Sequence, residues 1–357
     1  MAFAPPYCPN PACPSHAEGR ALMRPRSSFR RKCDGRTVSR FACDRCKKSC
    51  STQTFRLDYR LRRTDLWTGV FMSLCSKVTL RQSARYHRCD RKTIAARLKL
   101  FGEHCKKLHL DVLEHVRSRG GIQGSFQLDE LETYETDRRL FPLTVPVLIE
   151  RKSYFVLWSE TAPLPARGGL RPADKARKEA IEKATGVKRR SGSRAAVARA
   201  FELLERVVPA EGPVHVQSDE KHTYASELKK RFGERVVHQR YSSKAPRVYG
   251  SALFPINHTL AMMRDCVSRL VRRTWAASKQ AVWHERHQWI WIVWRNYVRG
   301  IINKAPETTP AMALRIAPRP LGVAELLAVI KSAPAAPVAQ QAAGAGVEGP
   351  PAPVACQ

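Results

Sequence analysis

Two acidic pairs stand out in a chain that is otherwise strongly basic. Asp129-Glu130 ends one apolar run, and Asp219-Glu220 ends another. The chain has 63 Lys and Arg residues against 31 Asp and Glu residues, which gives a formal net charge of +32. Such a balance attracts polyanions, usually DNA or RNA, and carboxylates at strand ends can hold metal ions against a phosphodiester. We therefore predict a metal-dependent enzyme that acts on nucleic acid.

Each acidic pair also has a structural interpretation. Asp129 could belong to a solvated acidic turn, because other Glu residues stand close by, and Asp219 could cap a following helix. Both pairs stand at predicted strand ends, in the order that a catalytic site needs, and this favours the catalytic interpretation. Glu130 and Glu220 stay open as substitutes, because strand ends predicted from a sequence shift by about two residues.

The elements that must position these carboxylates are predicted from apolar runs. Strands are predicted at residues 126–131, 143–149, 154–159, 213–218 and 235–238, and helices at 194–207 and 224–232. This order matches an RNase H-like α/β fold, in which the first and fourth strands lie side by side. Asp129 and Asp219 would then approach each other and bind Mg²⁺ or Mn²⁺ as the catalytic cofactor.

A third metal ligand is expected on a helix after the fifth strand. That helix is predicted from apolar positions spaced by three and four residues, which are Ile256, Leu260, Met263, Val267 and Leu270. Residues 235–284 contain no Glu, so the candidates near this stripe are Asn257, His258 and Asp265. We favour Asn257 as the third catalytic residue, because an amide oxygen can contact a divalent metal and Asp265 could instead pair with Arg269.

Cysteines are concentrated near the N-terminus, where six of the 11 lie within the first 50 residues. Two closely spaced pairs are Cys8 with Cys13 and Cys43 with Cys46. Two such pairs provide the four ligands of a tetrahedral Zn²⁺ ion. We predict a zinc ribbon at residues 1–57, in which the metal is structural and the fold depends on it. Cys46 with Cys50 is an alternative second pair, and free cysteines without metal are a further alternative.

Residues 64–118 carry the pattern of an all-α helix-turn-helix domain. Thr79 and Gln82 fit a capping box, and Asp90 can cap the helix that follows a turn at residues 88–90. The second helix of such a motif presents its N-terminal residues to the major groove of double-stranded DNA. The residues predicted to bind DNA from its exposed side are Arg91, Lys92, Arg97 and Lys99. A plain helical hairpin without DNA contacts is the alternative.

Taken in order, these motifs resemble those of bacterial insertion-sequence transposases of the DDE type. The shared segments are the two Cys pairs with Cys50-Ser51-Thr52-Gln53-Thr54-Phe55, the helix-turn-helix, Leu128-Asp129-Glu130, Gln217-Ser218-Asp219 and the basic stretch at residues 269–274. The resemblance covers roughly residues 8–300. It implies an enzyme that binds terminal inverted repeats as a homodimer or higher multimer, nicks DNA by water attack, and joins the freed 3′-hydroxyl to target DNA.

The chain departs from this family at the third catalytic position, where the usual Glu is missing. Some related groups carry Asn there, as Asn257 would be in this chain. Two other functions therefore stay open. One is a non-catalytic, sequence-specific DNA-binding regulator that has lost cleavage, and the other is a structure-selective nuclease, which explains the two N-terminal modules less well.

The remaining segments complete the predicted organisation. The catalytic domain is predicted at residues 122–304, with a basic insert at about 160–192 that either follows a DNA backbone or is disordered. Residues 305–357, rich in Ala and Pro, predict a mostly disordered tail. Trp residues between positions 275 and 294 are predicted to pack a terminal helix on the sheet. With no apolar run long enough to span a membrane and no signal-peptide pattern, we expect a soluble, cytoplasmic, nucleoid-associated bacterial protein.

Overall fold

The computed structural model of this protein describes residues 3–18, 22–32, 34–61, 63–242, 244–246, 248–272, 274–302 and 306–328. The chain divides after residue 62 into an N-terminal unit and a larger unit, Arg63–Ala328. The helical and α/β segments, which the sequence predicts as separate domains, both belong to the larger unit. Cys33 and the part of the Ala/Pro-rich tail from residue 329 onward lie outside the described residues.

The N-terminal unit contains a small antiparallel sheet. Its elements are a short helix α1 (Pro14–Ala17) and the strands β1 (Met23–Arg30), β2 (Thr37–Cys43) and β3 (Ser49–Ser51). Among the described residues, one of its apolar clusters has four buried members, which are Tyr7, Phe41, Cys50 and Phe55. A cluster of this size buries little surface, so the unit is compatible with the predicted zinc ribbon, whose fold depends on metal.

The larger unit begins with three helices, α2 (Trp67–Leu74), α3 (Leu80–Tyr86) and α4 (Arg91–Arg117). α3 starts with the predicted capping box, in which the Thr79 side chain accepts a hydrogen bond from the Gln82 backbone N–H and the Gln82 side chain accepts one from the Thr79 backbone N–H. Asp90 caps α4 by accepting a hydrogen bond from the backbone N–H of Lys92 at 2.6 Å. The two helices and the turn between them are therefore formed as predicted.

A mixed sheet forms the centre of the larger unit. Its strands are β4 (Ser125–Tyr134), β5 (Pro142–Glu150), β6 (Val156–Ser159), β7 (Ala162–Pro163), β8 (Val214–Asp219) and β9 (Val236–Tyr241). The order across the sheet is β6-β5-β4-β8-β9, and β7 pairs with β5. β5 runs antiparallel to β4 and β6, whereas β4, β8 and β9 are parallel. The first and fourth predicted strands, β4 and β8, are therefore neighbours, as predicted.

Helices pack on both faces of this sheet. They are α5 (Pro172–Thr185), α6 (Ser193–Val207), α7 (His222–Phe232), α8 (Phe254–Cys266), α9 (Ala281–Tyr297), α10 (Pro310–Ala313) and α11 (Val323–Ala328). α6 packs on β5 and α7, α8 packs on β4 and β5, and α9 lies against α4 and β6. Successive side chains of a strand point to opposite faces. On β4, Gln127 contacts α8 whereas Glu130 contacts α6, so these two helices lie on opposite faces.

Two segments predicted to lack order contain helices. The basic insert contains α5, so the disordered alternative is wrong, and Asp174 in the first turn of α5 pairs with Arg139 and Arg171 at 2.8 and 2.9 Å. The tail contains α10 and α11, so its predicted disorder is wrong over residues 306–328. Burial of Leu326 and Leu327 explains this order, because a short apolar helix packs even within an Ala/Pro-rich stretch.

The apolar stripe predicted after the fifth strand is buried, but not all of it is helical. α8 ends at Cys266, so Val267 and Leu270 contribute to the core from the segment that follows. Three Trp residues of α9, Trp289, Trp291 and Trp294, are buried as predicted, whereas Trp283 is half-buried and Trp275 is fully exposed. Even α9 falls short of a membrane span: none of the described helices is both long and apolar enough to cross a bilayer.

Candidate active site

Asp129 and Asp219 lie side by side where two adjacent parallel strands end their pairing. The last matched pair of β4 and β8 is Leu128 with Ser218, and the two aspartates follow directly. Neighbouring strands lie about 4.8 Å apart, and matched residues of a parallel pair point to the same face. Two carboxylates are therefore held close together on the face of the sheet that α8 covers.

Both carboxylates line a small cavity together with Asn257. The cavity has a volume of about 70 Å³ and is also lined by Tyr241, at the end of β9, and by residues such as Pro246 and Leu253 from the loop that follows. Asn257 lies in the first turn of α8, and Pro255 near the start of that helix favours the helical conformation there. The three side chains predicted as catalytic, from β4, β8 and α8, are thus brought together.

A row of three glutamines, Gln127, Gln217 and Gln239, crosses the sheet beside this cavity. They occupy matched positions on β4, β8 and β9. Their side-chain amides are joined by hydrogen bonds of 2.8 Å between the first two and 2.9 Å between the last two. The row joins the three parallel strands two residues before the aspartates.

The glutamine row also fixes the start of α8. Gln127 accepts a hydrogen bond from the backbone N–H of Ile256 at 3.0 Å and donates one to the carbonyl oxygen of Ala252 at 2.6 Å. The first turn of α8, which carries Asn257, is held against β4 in this way. Sequence reasoning missed this role, although a Gln stands two positions before each aspartate in the segments at residues 127–129 and 217–219.

The other carboxylates considered from the sequence lie elsewhere. Glu130 points to the opposite face, where its carboxylate accepts hydrogen bonds from Thr144 and Ser193. Glu220 is exposed and does not line the cavity. Asp265 is also exposed and pairs with a lysine of the α2–α3 connection at 3.1 Å. Neither acidic neighbour of the aspartates nor Asp265 therefore reaches the cavity.

His258 and Arg269 are also accounted for by other contacts. The His258 ring stacks on Phe254, with 5.6 Å between the ring centroids, and does not line the cavity. Arg269 donates a hydrogen bond to Ser278 rather than pairing with Asp265. Of the three side chains considered for the third position, Asn257 is the one that lies beside the aspartates.

Backbone N–H groups contact both aspartates of the cavity. Asp129 accepts a hydrogen bond from the backbone N–H of Glu130 at 2.7 Å, and Asp219 accepts one from that of Lys221 at 3.1 Å. Burial, followed by the negative charges of Glu130, Asp129 and Asp219, raises the pKa of the Tyr224 hydroxyl on α7. Two carboxylates and an amide oxygen are hard ligands of the kind that Mg²⁺ and Mn²⁺ prefer. The donor set therefore fits the predicted divalent metal.

The four predicted zinc ligands come together in the N-terminal unit. The sulfur atoms of Cys8, Cys13, Cys43 and Cys46 all lie within 4.8 Å of one another. The separation is 3.5 Å between Cys8 and Cys46 and 3.8 Å between Cys13 and Cys43. A tetrahedral zinc ion with Zn–S bonds of about 2.3 Å holds its sulfurs about 3.8 Å apart. This buried group fits zinc, and four protein ligands are typical of a structural site.

Backbone N–H groups favour the metal-binding thiolate form at two of the four cysteines, Cys43 and Cys46, whereas burial raises the pKa of Cys8. A hydrogen bond from the backbone N–H of Lys48 is the main influence on Cys46 and lowers the pKa of its thiol to about 6. The pKa of Cys43 is lowered chiefly by the backbone N–H of Cys46. Cys50 lies apart from the group, against Met23 at 3.7 Å, and burial raises its pKa to about 11. The alternative pairing of Cys46 with Cys50 therefore does not form.

One of the four residues predicted to bind DNA is buried. Arg97 is only 5% exposed, its guanidinium lies 5.4 Å from the centre of the Trp67 ring, and it donates to the carbonyl oxygen of Arg63 at 3.3 Å. The prediction that Arg97 lies on the exposed side of the helix is therefore wrong. The physical reason is its spacing, three residues after Ile94 and four before Phe101, which puts it on the face that both of them bury.

Comparison with known proteins adds little to this geometry. No protein-family model matches the chain, and no curated protein sequence matches it significantly. Among solved structures, the chain is similar to the catalytic domain of Mos1 mariner transposase, with 12% sequence identity over 56% of this chain and 90% of that chain, and with a TM-score of 0.21. A superposition of that quality carries no argument, so the strand order and the cavity stand by themselves.

Proposed function

We propose that this chain is a DNA transposase of the DDE type with an RNase H-like catalytic domain at about residues 122–304. The observation that carries the proposal is that Asp129, Asp219 and Asn257, from three separate elements, line one small cavity. The formal net charge of +32 fits double-stranded DNA as the substrate. The strand order, with β4 beside β8, supports the RNase H-like assignment.

In this proposal Asp129 and Asp219 hold Mg²⁺ or Mn²⁺, and Asn257 contributes a neutral oxygen ligand. The bound metal supplies activation of a weak oxygen nucleophile and stabilisation of the leaving oxygen. The chain itself provides the orientation, because strand pairing fixes the two carboxylates and the glutamine row fixes Asn257. Water and then a DNA 3′-hydroxyl are the nucleophiles, so no covalent enzyme intermediate forms.

In this proposal the zinc ribbon and the helix-turn-helix bind the terminal inverted repeats of the transposable element. DNA that carries these repeats is called end DNA below. Arg91 and Lys92 are exposed in the first turn of α4, where recognition helices contact base edges, and Lys99 is exposed further along the same helix. The zinc ribbon at residues 1–57 adds a second contact to end DNA. Because a transposition reaction joins two ends, the active form is a homodimer or a higher multimer on DNA.

Replacing Arg91 and Lys92 together with Ala should weaken binding to end DNA. Contacts to base edges contribute about 1–3 kcal/mol each, so discrimination between end DNA and random DNA should fall. Fluorescence anisotropy at several salt concentrations measures both quantities. Lys107→Ala is the matched control, because Lys107 is exposed on the same helix and pairs with Asp111 at 3.3 Å. Unchanged discrimination in the double variant would show that this turn does not read sequence.

A non-catalytic, sequence-specific DNA-binding regulator is the second candidate function. Asn257 favours the regulator, because an amide oxygen is a weaker metal ligand than the Glu carboxylate that DDE transposases usually have at the third catalytic position. The two aspartates in one cavity favour the enzyme, because a regulator has no need to hold two carboxylates together against their mutual repulsion.

A single incubation separates these functions. Full-length protein is mixed with labelled DNA that flanks its coding region, in the presence of Mg²⁺, Mn²⁺ or EDTA; one half of each mixture is run on a native gel to detect binding, and the other half on a denaturing gel to separate the products. A transposase gives nicked and joined strands that depend on metal. Cleavage without joining would point to a structure-selective nuclease, and binding without cleavage would point to the regulator. Either of the last two results contradicts the proposal.

The third catalytic position is tested by a pair of substitutions on α8. Asn257→Ala should lower the rate of strand joining more than Asp265→Ala, because Asn257 lines the cavity whereas Asp265 is exposed and paired with Lys77. Asn257→Glu should retain or raise turnover with Mg²⁺, since it adds a charged ligand. An inactive Asp265→Ala beside an active Asn257→Ala would mean that Asp265 completes the catalytic set.

A further inference from the structure

A partly buried polar cluster lies directly behind the two aspartates, on the other face of the sheet. Its centre is an ion pair between Glu130 and Lys221, with 2.6 Å between the carboxylate Oε1 and the ammonium Nζ. The Glu130 side chain is 10% exposed and the Lys221 side chain is 37% exposed. Three hydroxyl groups complete the cluster, from Thr144, Ser193 and Tyr224.

Both oxygens of the Glu130 carboxylate are fully engaged. Oε1 accepts hydrogen bonds from Lys221, from Ser193 at 3.0 Å and from Tyr224 at 3.3 Å. Oε2 accepts one from Thr144 at 2.6 Å and also lies 3.0 Å from the Ser193 hydroxyl. These donors come from β5, from α6, and from α7 with the turn before it. One carboxylate therefore links four elements, and a shielded polar network in which every member is paired restrains the elements that it joins.

Glu130 and Lys221 also supply the backbone N–H groups that contact the catalytic carboxylates. The N–H of Glu130 donates to Asp129 at 2.7 Å, and that of Lys221 donates to Asp219 at 3.1 Å. The ion pair thus joins the two backbone segments that set the separation of the aspartates. Two carboxylates at close range repel each other, so this separation needs a restraint that acts before a metal binds.

We propose that the Glu130–Lys221 pair is a clasp that holds Asp129 and Asp219 at the spacing a divalent cation requires. Both members are positioning residues, since the Glu130 carboxylate and the Lys221 ammonium meet on the face of the sheet away from the cavity. The inference rests on the proposed function and deepens it. Outer partners of metal ligands typically change metal affinity by about 10–100-fold when they are replaced.

Replacing Lys221 separates positioning from simple electrostatics. An ammonium group near a cation site repels the cation, so charge alone predicts tighter metal binding in Lys221→Met. Loss of the clasp predicts weaker metal binding in the same variant. Metal binding should weaken in Glu130→Gln whether charge or positioning is responsible. This variant keeps the shape of the side chain, so comparison with Lys221→Met shows whether the two residues act as a pair.

The test is a titration of zinc-loaded, full-length protein with Mn²⁺, followed by the electron paramagnetic resonance signal of the free ion. We expect Lys221→Met and Glu130→Gln each to raise the Kd for Mn²⁺ by about 10–100-fold. Lys221→Arg, which keeps a cation within reach of Glu130, should bind closer to wild type than to Lys221→Met. An unchanged or lower Kd in Lys221→Met overturns the clasp. Should that variant not fold, a folded Glu130→Gln with wild-type affinity overturns it equally.

Glu227→Gln is the matched control for general loosening of the fold. Glu227 is 6% exposed and pairs with Arg194 at 2.7 Å, so it links α6 to α7 as the clasp does, but it contributes no N–H to either aspartate. Its replacement should lower the melting temperature and leave the Kd for Mn²⁺ unchanged. An equal loss of Mn²⁺ affinity in Glu227→Gln would assign the effect to loosening and overturn the clasp.

Asp129→Asn distinguishes failure of the clasp from failure of the proposed function. If wild type binds no more Mn²⁺ than Asp129→Asn, the proposed metal site is absent, and the proposed function and the clasp fall together. If wild type binds Mn²⁺ through Asp129 and Lys221→Met binds it as tightly or more tightly, only the clasp fails. Asp129-dependent binding that is weakened in Lys221→Met supports both.

Discussion

Replacing either Asp129 or Asp219 with Asn should abolish strand cleavage and joining while leaving binding to end DNA intact. Each substitution keeps the size of the side chain and removes one negative ligand from the cavity. Loss of a metal contact removes several kcal/mol of transition-state stabilisation, so we expect the rate to fall by about 10³-fold or more. Joining of labelled end DNA to a plasmid measures the chemistry, and a gel-shift titration measures binding.

Asp265→Asn is the control for this prediction, because it makes the same chemical change at an exposed aspartate paired with Lys77. It should cleave and join DNA as wild type does. Retained cleavage in Asp129→Asn or Asp219→Asn would contradict the role given to that carboxylate. Loss of binding together with loss of cleavage would show that the residue supports the DNA complex rather than the chemistry.

Replacing Cys43 with Ser should remove both the zinc and the fold of the N-terminal unit. The four sulfurs lie within 4.8 Å of one another, and the apolar cluster beside them is small. Structural zinc contributes about 10–16 kcal/mol in small zinc domains, far more than such a cluster provides. Metal analysis should find about one zinc ion per wild-type chain and none in the variant. Hydrogen exchange should show lost protection in β1–β3 but not in the central sheet.

Cys50→Ser is the matched control, because Cys50 is buried in the same unit but contacts Met23 instead of the four-cysteine group. This variant should retain its zinc. Freshly purified wild-type protein without zinc would contradict the prediction and favour free cysteines. Loss of zinc in Cys50→Ser, with retention in Cys43→Ser, would contradict the ligand set itself.

The closeness of Asp129 and Asp219 could be predicted because it follows from chain order and strand geometry. Apolar runs define the strands, the strand order predicted from the sequence places β4 beside β8, and the parallel register then brings the two aspartates to adjacent positions. The four cysteines could be predicted from their spacing, since structural zinc sites are commonly built from two closely spaced Cys pairs. Local spacing and one topological rule are sufficient for the aspartates, and local spacing is sufficient for the cysteines.

The burial of Arg97 shows that charge alone does not predict exposure on a helix. Its charge suggested an exposed DNA contact, but its spacing from Ile94 and Phe101 on α4 already assigned it to the buried face. A long arginine side chain can enter a core when its head finds partners, as Arg97 does with Trp67 and Arg63. The spacing of the apolar residues on α4 predicts the burial of Arg97 better than its charge does.

The partners of Glu130 could not be predicted from spacing at all. Thr144, Ser193 and Lys221 lie 14, 63 and 91 residues away along the chain. Such contacts depend on how α6 and α7 pack on the sheet, which a single sequence does not state. The glutamine row is an intermediate case, because its spacing from each aspartate was visible but its contact with α8 was not.

The most direct measurement is the location of a bound divalent cation. A crystal of the full chain grown in Mn²⁺ gives an anomalous difference map in which manganese is identified without assumptions about the site. We expect a peak between the carboxylates of Asp129 and Asp219, beside Asn257, and its loss in crystals of Asp129→Asn. A well-ordered cavity without a manganese peak, or a peak held by Asp265 instead, would contradict the central claim that this cavity is the catalytic metal site.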